Sequence, residues 1–367
     1  MRPRILTQAA LLATWLLAPA AVAQLHRKPL PVPDVAGYKT LKCDFHMHSV
    51  FSDGLVWPVI RVLEAWRGGL DAISITDHDD YHPHEPHVST DIAEPYRIAR
   101  ARAEELGILL VPGIEITKGE WHFNALFVTD FNATKRLGLA EALREAKRQG
   151  AFVFWNHPGW KRPERWFEEI APLHAEGLFQ GFELVNGRTV YAGGFAWMTE
   201  KNLAVLANTD IHAPMTETEE DGRAITLVFV RSADLEGLRE ALMARRTVAW
   251  MGGELWGPEP LLQGLWEGAV RLETQSISVA KNQRTVALRL RNSSALAFRL
   301  RPVGWPHWIN VREIEIEPMQ AAAATLSLTA DAPDGEQSLS LEFDLVNCHT
   351  APGRDLRVSL PVRLRRH

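Results

Sequence analysis

Cysteine is scarce in this chain. The 367 residues include two, Cys43 and Cys348, far apart in sequence. A disulfide framework is thereby excluded, and two buried free thiols are a simpler expectation than one bridge. Long apolar runs are missing beyond the N-terminus, so no stable membrane insertion is expected. A basic surplus is missing too: 40 Lys and Arg face 45 Asp and Glu, for a formal net charge of −5. That balance offers nucleic acid or an anionic membrane no global attraction. With no internal repeat, no low-complexity tract and no basic groove interleaved with aromatics, a nucleic-acid partner is not expected.

Residues 1–23 read as an export signal. Arg2 and Arg4 form a short positive region, Ala9 to Leu17 an apolar stretch, and Ala21-Val22-Ala23 a small-residue cleavage pattern. The pattern predicts Gln24 as the mature N-terminus and a periplasmic or secreted product. The apolar stretch is short for a span of about 20 residues.

Two textures follow, predicting a domain over 24–257 and another over 258–367. From about residue 41 to 250, strand-like and helix-like patterns alternate. Examples are the strands Leu41–Met47, Ala72–Thr76 and Ile108–Ile114 and the amphipathic helix Ala133–Gln149. Such alternation predicts an α/β fold with a parallel sheet, open or closed as a barrel, and an active site at the C-terminal strand ends. After Gly257-Pro258, short alternating segments separated by turn residues predict an antiparallel β-sandwich of about one hundred residues.

What the first texture does contain is imidazole and carboxylate at the expected strand exits. His46 and His48 are two apart, so a strand projects both from one face. Asp53 sits in a Ser-Asp-Gly turn, and His78 follows Thr76-Asp77, where Asp77 could orient a ligand. Glu115 ends a strand and could bridge two cations. His122, His157 and the alternate pair Asp210 and His212 complete the candidate metal ligands. Glu183 is a weaker candidate, equally able to support a histidine or pair with Arg188. His82, His84 and His87 lack a strand frame and read as rim or surface residues. As a set, these groups suit several borderline divalent cations.

The motifs His46-Met47-His48, Asp53, Thr76-Asp77-His78, Gly113-Ile114-Glu115, His157-Pro158 and Asp210-Ile211-His212 resemble, in order, those of the polymerase and histidinol phosphatase (PHP) family. The resemblance spans roughly residues 41–250. It implies a distorted (β/α)7 barrel that hydrolyses phosphate esters with two or three divalent metal ions, often manganese, iron or zinc. It also implies a partition of the ligands. One ion would sit on His46, His48, Glu115 and Asp210, a second on Glu115, His122 and His157, and a third on Asp53, His78 and His212. An exported barrel with an appended β domain is similar to bacterial PHP-type phosphodiesterases acting on small organophosphate diesters.

The expected chemistry is attack on phosphorus by a hydroxide held between two cations, which lower the pKa of bound water to about 7. Asp210, His212 and His78 are the catalytic candidates, through the third ion or the leaving alkoxide. Arg188, Lys118, Lys161, Arg162 and Asn186, on rim loops, are candidates for binding substrate. Two other readings stay open: a phosphomonoesterase using the same cluster, and a protein that binds metal or ligand without turnover. The N-terminal pattern yields a direct prediction. Intact-mass analysis of the exported protein should give a chain beginning at Gln24; recovery of the unprocessed chain from the membrane fraction would contradict it.

Overall fold

The structure, a computed structural model, describes residues 26–35, 37–216 and 220–367. The expected export signal and the Gln24 terminus lie outside the described residues. Among the described residues, the first texture forms the strands β1 (Lys39–Asp44), β2 (Ala72–Ile73), β3 (Leu109–Leu110), β4 (Gly113–Lys118), β5 (Trp121–Leu126), β6 (Phe152–Trp155), β7 (Gly181–Asn186), β8 (Thr189–Val190), β9 (Ala204–Asn208), β10 (Ile225–Val230), β11 (Thr247–Met251) and β12 (Glu254–Trp256). β6, β9 and β10 are buried along their whole lengths, which explains why they read as continuous apolar runs rather than alternating ones.

Helices Pro58–Arg67, Glu94–Leu106, Leu139–Arg148 and Leu235–Met243 lie between strands. Pro58 opens the first, where its missing N–H has no intrahelical partner to lose. Gly107, left-handed at φ 68°, closes the second. The helix expected over 133–149 is shorter, because its first residues form turns instead.

A wholly parallel sheet does not form. β1, β2 and β3 run parallel, as do β6, β7 and β9, but β1 pairs antiparallel with β10, β10 with β11, and β4 with β5 and β5 with β6. Two of the antiparallel pairs, β4 with β5 and β11 with β12, follow from their connections. β4 and β5 are joined by Gly119-Glu120, and β11 and β12 by Gly252-Gly253 with φ of 58° and 88°. Two-residue links can make only hairpins. The single strand expected over Ile108–Ile114 is broken at Val111-Pro112, where proline has no N–H for a ladder. The strands from both groups nevertheless share one interior: Leu41, Cys43, Phe45, Leu126, Phe152, Phe154, Leu206 and Val228 form one buried cluster.

Beyond residue 257 the chain first makes a helix, Glu259–Ala269, that the sequence pattern did not announce. Then come β13 (Val270–Leu272), β14 (Ser276–Val279), β15 (Thr285–Asn292), β16 (Phe298–Val303), β17 (Ile309–Asn310), β18 (Ile314–Ile316), β19 (Ala321–Leu328), β20 (Gly335–Ala351) and β21 (Arg354–Arg366). β15 and β21 alternate buried and exposed residues, as strands with one face in a core do. β13, β15, β19 and β17 make a four-stranded antiparallel sheet. β14, β21, β20, β16 and β18 make a second group, and Leu288, Leu326, Phe298, Phe343 and Leu360 share a core between them.

This β-rich part is not a free appendage. β20 pairs parallel with β12, with Leu255 opposite Cys348 and Trp256 opposite His349. One sheet of 11 strands thus continues from β14 to β3. Cys43 and Cys348 lie in this sheet, both buried and both free thiols.

At the junction, the His349 imidazole contacts Glu254 Oε2 and Asp355 Oδ1, each at 3.0 Å. The hydrogen bond to Glu254, helped by Asp355 and opposed by burial, raises the His349 pKa. Hydrogen bonding to His349 and the charge of Arg299 overcome burial to lower that of Glu254. A raised histidine stabilises fully below its unfolded pKa of about 6.5, and that contribution is lost as pH rises through the folded value. A lowered carboxylate acts in the opposite sense, losing its contribution as pH falls. His349→Gln should therefore cost about 1 kcal/mol near pH 5.5, a small figure because the partners are partly exposed. The gap from the parent protein should shrink by pH 9 in urea unfolding. A gap independent of pH would contradict this assignment.

Candidate metal centre

The sequence motifs meet where the strands end. His46 and His48 follow β1, and Met47 forms a bridge with Ile211, which brings the loop after β9 alongside. His78 follows β2 and bridges to Glu115 in β4. His122 lies in β5, beside β4 in the hairpin, with Thr117 as its register partner. His157 follows β6 and Asp210 follows β9, both at positive φ (27° and 51°). Asp53 reaches the group from its turn because Gly54 lets the turn fold back on His48. A Cβ at Gly54 would stand 2.6 Å from the His48 backbone.

Nine side chains converge. The Nε2 atoms of His46 and His48 lie 3.2 Å apart, and Asp210 Oδ1 is 3.1 Å from the first and 3.0 Å from the second. Glu115 Oε2 lies 3.4 Å from His46 Nε2, 3.3 Å from His48 Nε2 and 2.9 Å from His78 Nδ1. Its other oxygen is 3.0 Å from His122 Nδ1 and 3.7 Å from His157 Nε2. Asp53 Oδ1 is 3.2 Å from His212 Nε2 and 3.6 Å from His78 Nε2.

Two observations test whether divalent cations fit. Glu115 Oε2 and Asp53 Oδ1 are buried oxygens without a hydrogen-bond partner, at the middle of the imidazoles. Moreover, ligand atoms held about 2.1 Å from one cation must lie about 3.0–3.4 Å from one another, the edge of an octahedron or a tetrahedron. The contacts between His46, His48, Asp210 and Glu115 have that length. The residues fit.

Four overlapping groups could each hold an ion: His48, Asp53, His78 and His212; His46, His48 and Asp210; His46, Glu115 and His157; and His78, Glu115 and His122. These do not follow the partition implied by the resemblance. His48 also joins the outer group with Asp53, and His78 also lies with Glu115 and His122.

The surroundings fix how the imidazoles point. His46 Nδ1 faces Glu183 Oε1 at 2.8 Å, which leaves Nε2 for the cluster. Glu183 is therefore a support to a histidine, and it also accepts from Asn208, Asn186 and the His157 N–H. His48 Nδ1 faces Ser52 Oγ at 3.1 Å, and Ser52 in turn donates to Asp77. Asp77 thus orients a ligand through a serine. His212 Nδ1 donates to its own loop at Asp210 O. Asn156 donates to Glu115 Oε1 at 2.8 Å and to Asn124. Buried Asn124, Asn156 and Asn208 and Ser52 were not picked out from the sequence, and their only signal was adjacency to ligand motifs.

The field inside is strongly anionic. Burial opposes ionisation of Glu115, Asp210 and Asp53, but neighbouring histidines outweigh it and hold all three well below the usual carboxylate range. Burial likewise opposes charging of His78, yet Glu115 and Asp53 push its pKa up to about 11. His46 is raised against burial by Asp210, Glu183 and Glu115, whereas burial prevails at His48 and lowers it.

The substrate candidates fare differently. Arg188 walls a cavity of about 280 Å³ that opens beside Asp210 and His212. Asn186 donates to Glu183 and Asp210, so it braces the ligands. Lys118 is bound to both oxygens of buried Asp79 at 3.0 Å. Lys161 lies 3.8 Å over the Trp160 ring, and Arg162 lies over Trp121 and pairs with Glu120. Exposed Trp160 stands against His122 and His157, and exposed Tyr81 against His78, two rim aromatics the sequence analysis passed over. His82 bonds Phe51 O, and His82, His84 and His87 join none of the candidate groups among the described residues.

No family profile matches the sequence. The chain is similar to a two-domain protein of Bacteroides vulgatus, described as containing a predicted PHP-like metal-dependent phosphoesterase. The two are 38% identical, with a TM-score of 0.84, over 92% of this chain and 99% of that one. It is also similar to a 5'-3' exoribonuclease of Haemophilus influenzae, 29% identical over 109 residues, 30% of this chain and 35% of the relative. A 5'-3' exoribonuclease of Salmonella typhimurium is 27% identical over 158 residues, 42% of this chain and 46% of the relative. The chain thus spans less than half the length of the curated relatives it matches.

Because His78, with its pKa pushed up to about 11, occupies a ligand position, cation binding should release protons and weaken as pH falls. Titration calorimetry in buffers of different ionisation enthalpy at pH 8 should show that release. Glu115→Gln keeps the shape but removes the shared charge and should weaken binding by about 100-fold or more. Unchanged metal content in that variant would contradict the assignment.

Proposed function

The chain belongs to the family of PHP-like metal-dependent phosphoesterases, and from that premise we propose that it hydrolyses small organophosphate diesters outside the cytoplasm. The observation that carries the reading is the convergence of His46, His48, Asp53, His78, Glu115, His122, His157, Asp210 and His212 around two buried carboxylate oxygens that no hydrogen bond satisfies. The N-terminal signal pattern supports the location. The two strand groups around one interior support reading the first part as the family's distorted barrel, with the later sheets as its β-sandwich.

Divalent cations held by these groups would lower the pKa of water and neutralise phosphoryl oxygens. The chain's own residues do the rest. Glu183 and Ser52 hold the Nδ1 sides of His46 and His48, so that both Nε2 lone pairs face the centre. Asn156 and Asn186 fix the rotamers of Glu115 and Asp210, which limits reorganisation during the reaction. Arg188, on the cavity wall beside Asp210, is the guanidinium placed to meet a phosphate oxygen. His212, at the exposed end of the group, would with His48, Asp53 and His78 hold an outer cation able to offset the charge of a departing alkoxide.

The similarity to exoribonucleases over part of the chain favours testing one other substrate class. Purified protein loaded with manganese should be assayed on aryl phosphate diesters, aryl phosphate monoesters and a single-stranded RNA. The expected result is hydrolysis of the diester with at least about tenfold higher kcat/KM than the monoester, a difference of about 1.4 kcal/mol in barrier. Monoester preference, RNA degradation alone, or cation binding without turnover would each replace this reading.

A further inference from the structure

We infer that Arg61 is a positioning residue for the outer part of the cation centre, the group formed by His48, Asp53, His78 and His212. The inference rests on reading that cluster as a cation site.

Arg61 lies on the helix Pro58–Arg67, which begins five residues after Asp53, and it is wholly buried. A guanidinium has five N–H donors in a planar fork, and here every one is used. Nε donates to His48 O at 2.8 Å. Nη1 donates to Ala213 O at 2.9 Å and to Glu64 Oε2 at 2.8 Å. Nη2 donates to Ile211 O at 3.0 Å and His212 O at 2.7 Å. Four of the five acceptors are backbone carbonyls of two ligand loops, one holding His48 and the other, distant in sequence, holding His212.

The same helix face adds a second tether, since Glu64 Oε1 accepts from the Met215 N–H at 2.8 Å. The loop needs such holding. Asp210 sits in the left-handed region at φ 51°, where a non-glycine residue is strained. The His212 side chain is 38% exposed, so packing alone does not fix it. The His212 carbonyl is instead gripped by Arg61 and by the Leu55 N–H, two residues beyond Asp53. Arg61 therefore sets the separation between Asp53 and His212 without touching substrate or reacting atoms. A lysine could not replace it, because an ammonium has three donors and no fixed fork.

The test uses the full chain, R61K and E64Q, with manganese as the probe, read by metal content after dialysis, by kcat and KM, and by thermal melting. The expected result for R61K is a folded protein that holds its weakest cation about 10–100-fold less tightly. Its kcat should fall in step, with KM for the phosphate ester little changed and activity recovered by excess manganese. E64Q should show the same pattern more mildly, and it decides the matter if R61K fails to fold. Either variant losing thermal stability while keeping full cation content and kcat would overturn the inference. A parent protein that binds no manganese would instead overturn the cluster reading itself.

Discussion

Mutual repulsion among buried carboxylates is the constraint on which this structure turns. Glu115 and Glu183 are fully buried and Asp210 and Asp53 half-buried; Glu115, Asp210 and Asp53 face the imidazole cluster, and Glu183 backs His46. Anions so placed are tolerable only if cationic partners meet them. Among the described residues, their ion pairs are all with imidazoles. Imidazole is the side chain that can surrender its proton and become a neutral metal ligand near neutral pH. The arrangement is thus stable with protons and better satisfied with divalent cations.

The rest of the molecule reads as the apparatus that keeps those groups together. Amides from Asn156, Asn186 and Asn208 brace carboxylates, and buried Asn124 accepts from Asn156. Arg223 pairs with buried Asp44, which in turn holds the Thr209 hydroxyl beside Asp210 and the His46 N–H. Beyond these contacts, continuous pairing from β3 through β12 into β20 and β21 ties the β-rich second half to the sheet that carries the first ligands. The site therefore rests on a framework that spans both textures of the sequence.

Much of this was legible beforehand, for a physical reason. Most ligand residues follow a strand, although Glu115, expected at a strand end, and His122 lie near the starts of β4 and β5, and short motifs such as His46-Met47-His48 and Asp210-Ile211-His212 keep their meaning whatever the strand order. Strand direction was less legible, because it depends on links such as Gly119-Glu120, whose hairpin role shows only when both flanking strands are known. The helix Glu259–Ala269 was hidden by Pro260 and two glycines in its sequence. The supports were the least visible. Arg61 and Asn208 look ordinary in sequence, since their roles come from partners far along the chain. Lys118 looked like a free rim cation until buried Asp79 claimed it.

The most direct test of the central claim is anomalous diffraction from crystals of the protein grown with manganese. The account predicts at least two strong peaks, one between His46, His48 and Asp210 and another against Glu115. An empty cluster, or peaks confined to surface carboxylates, would contradict it.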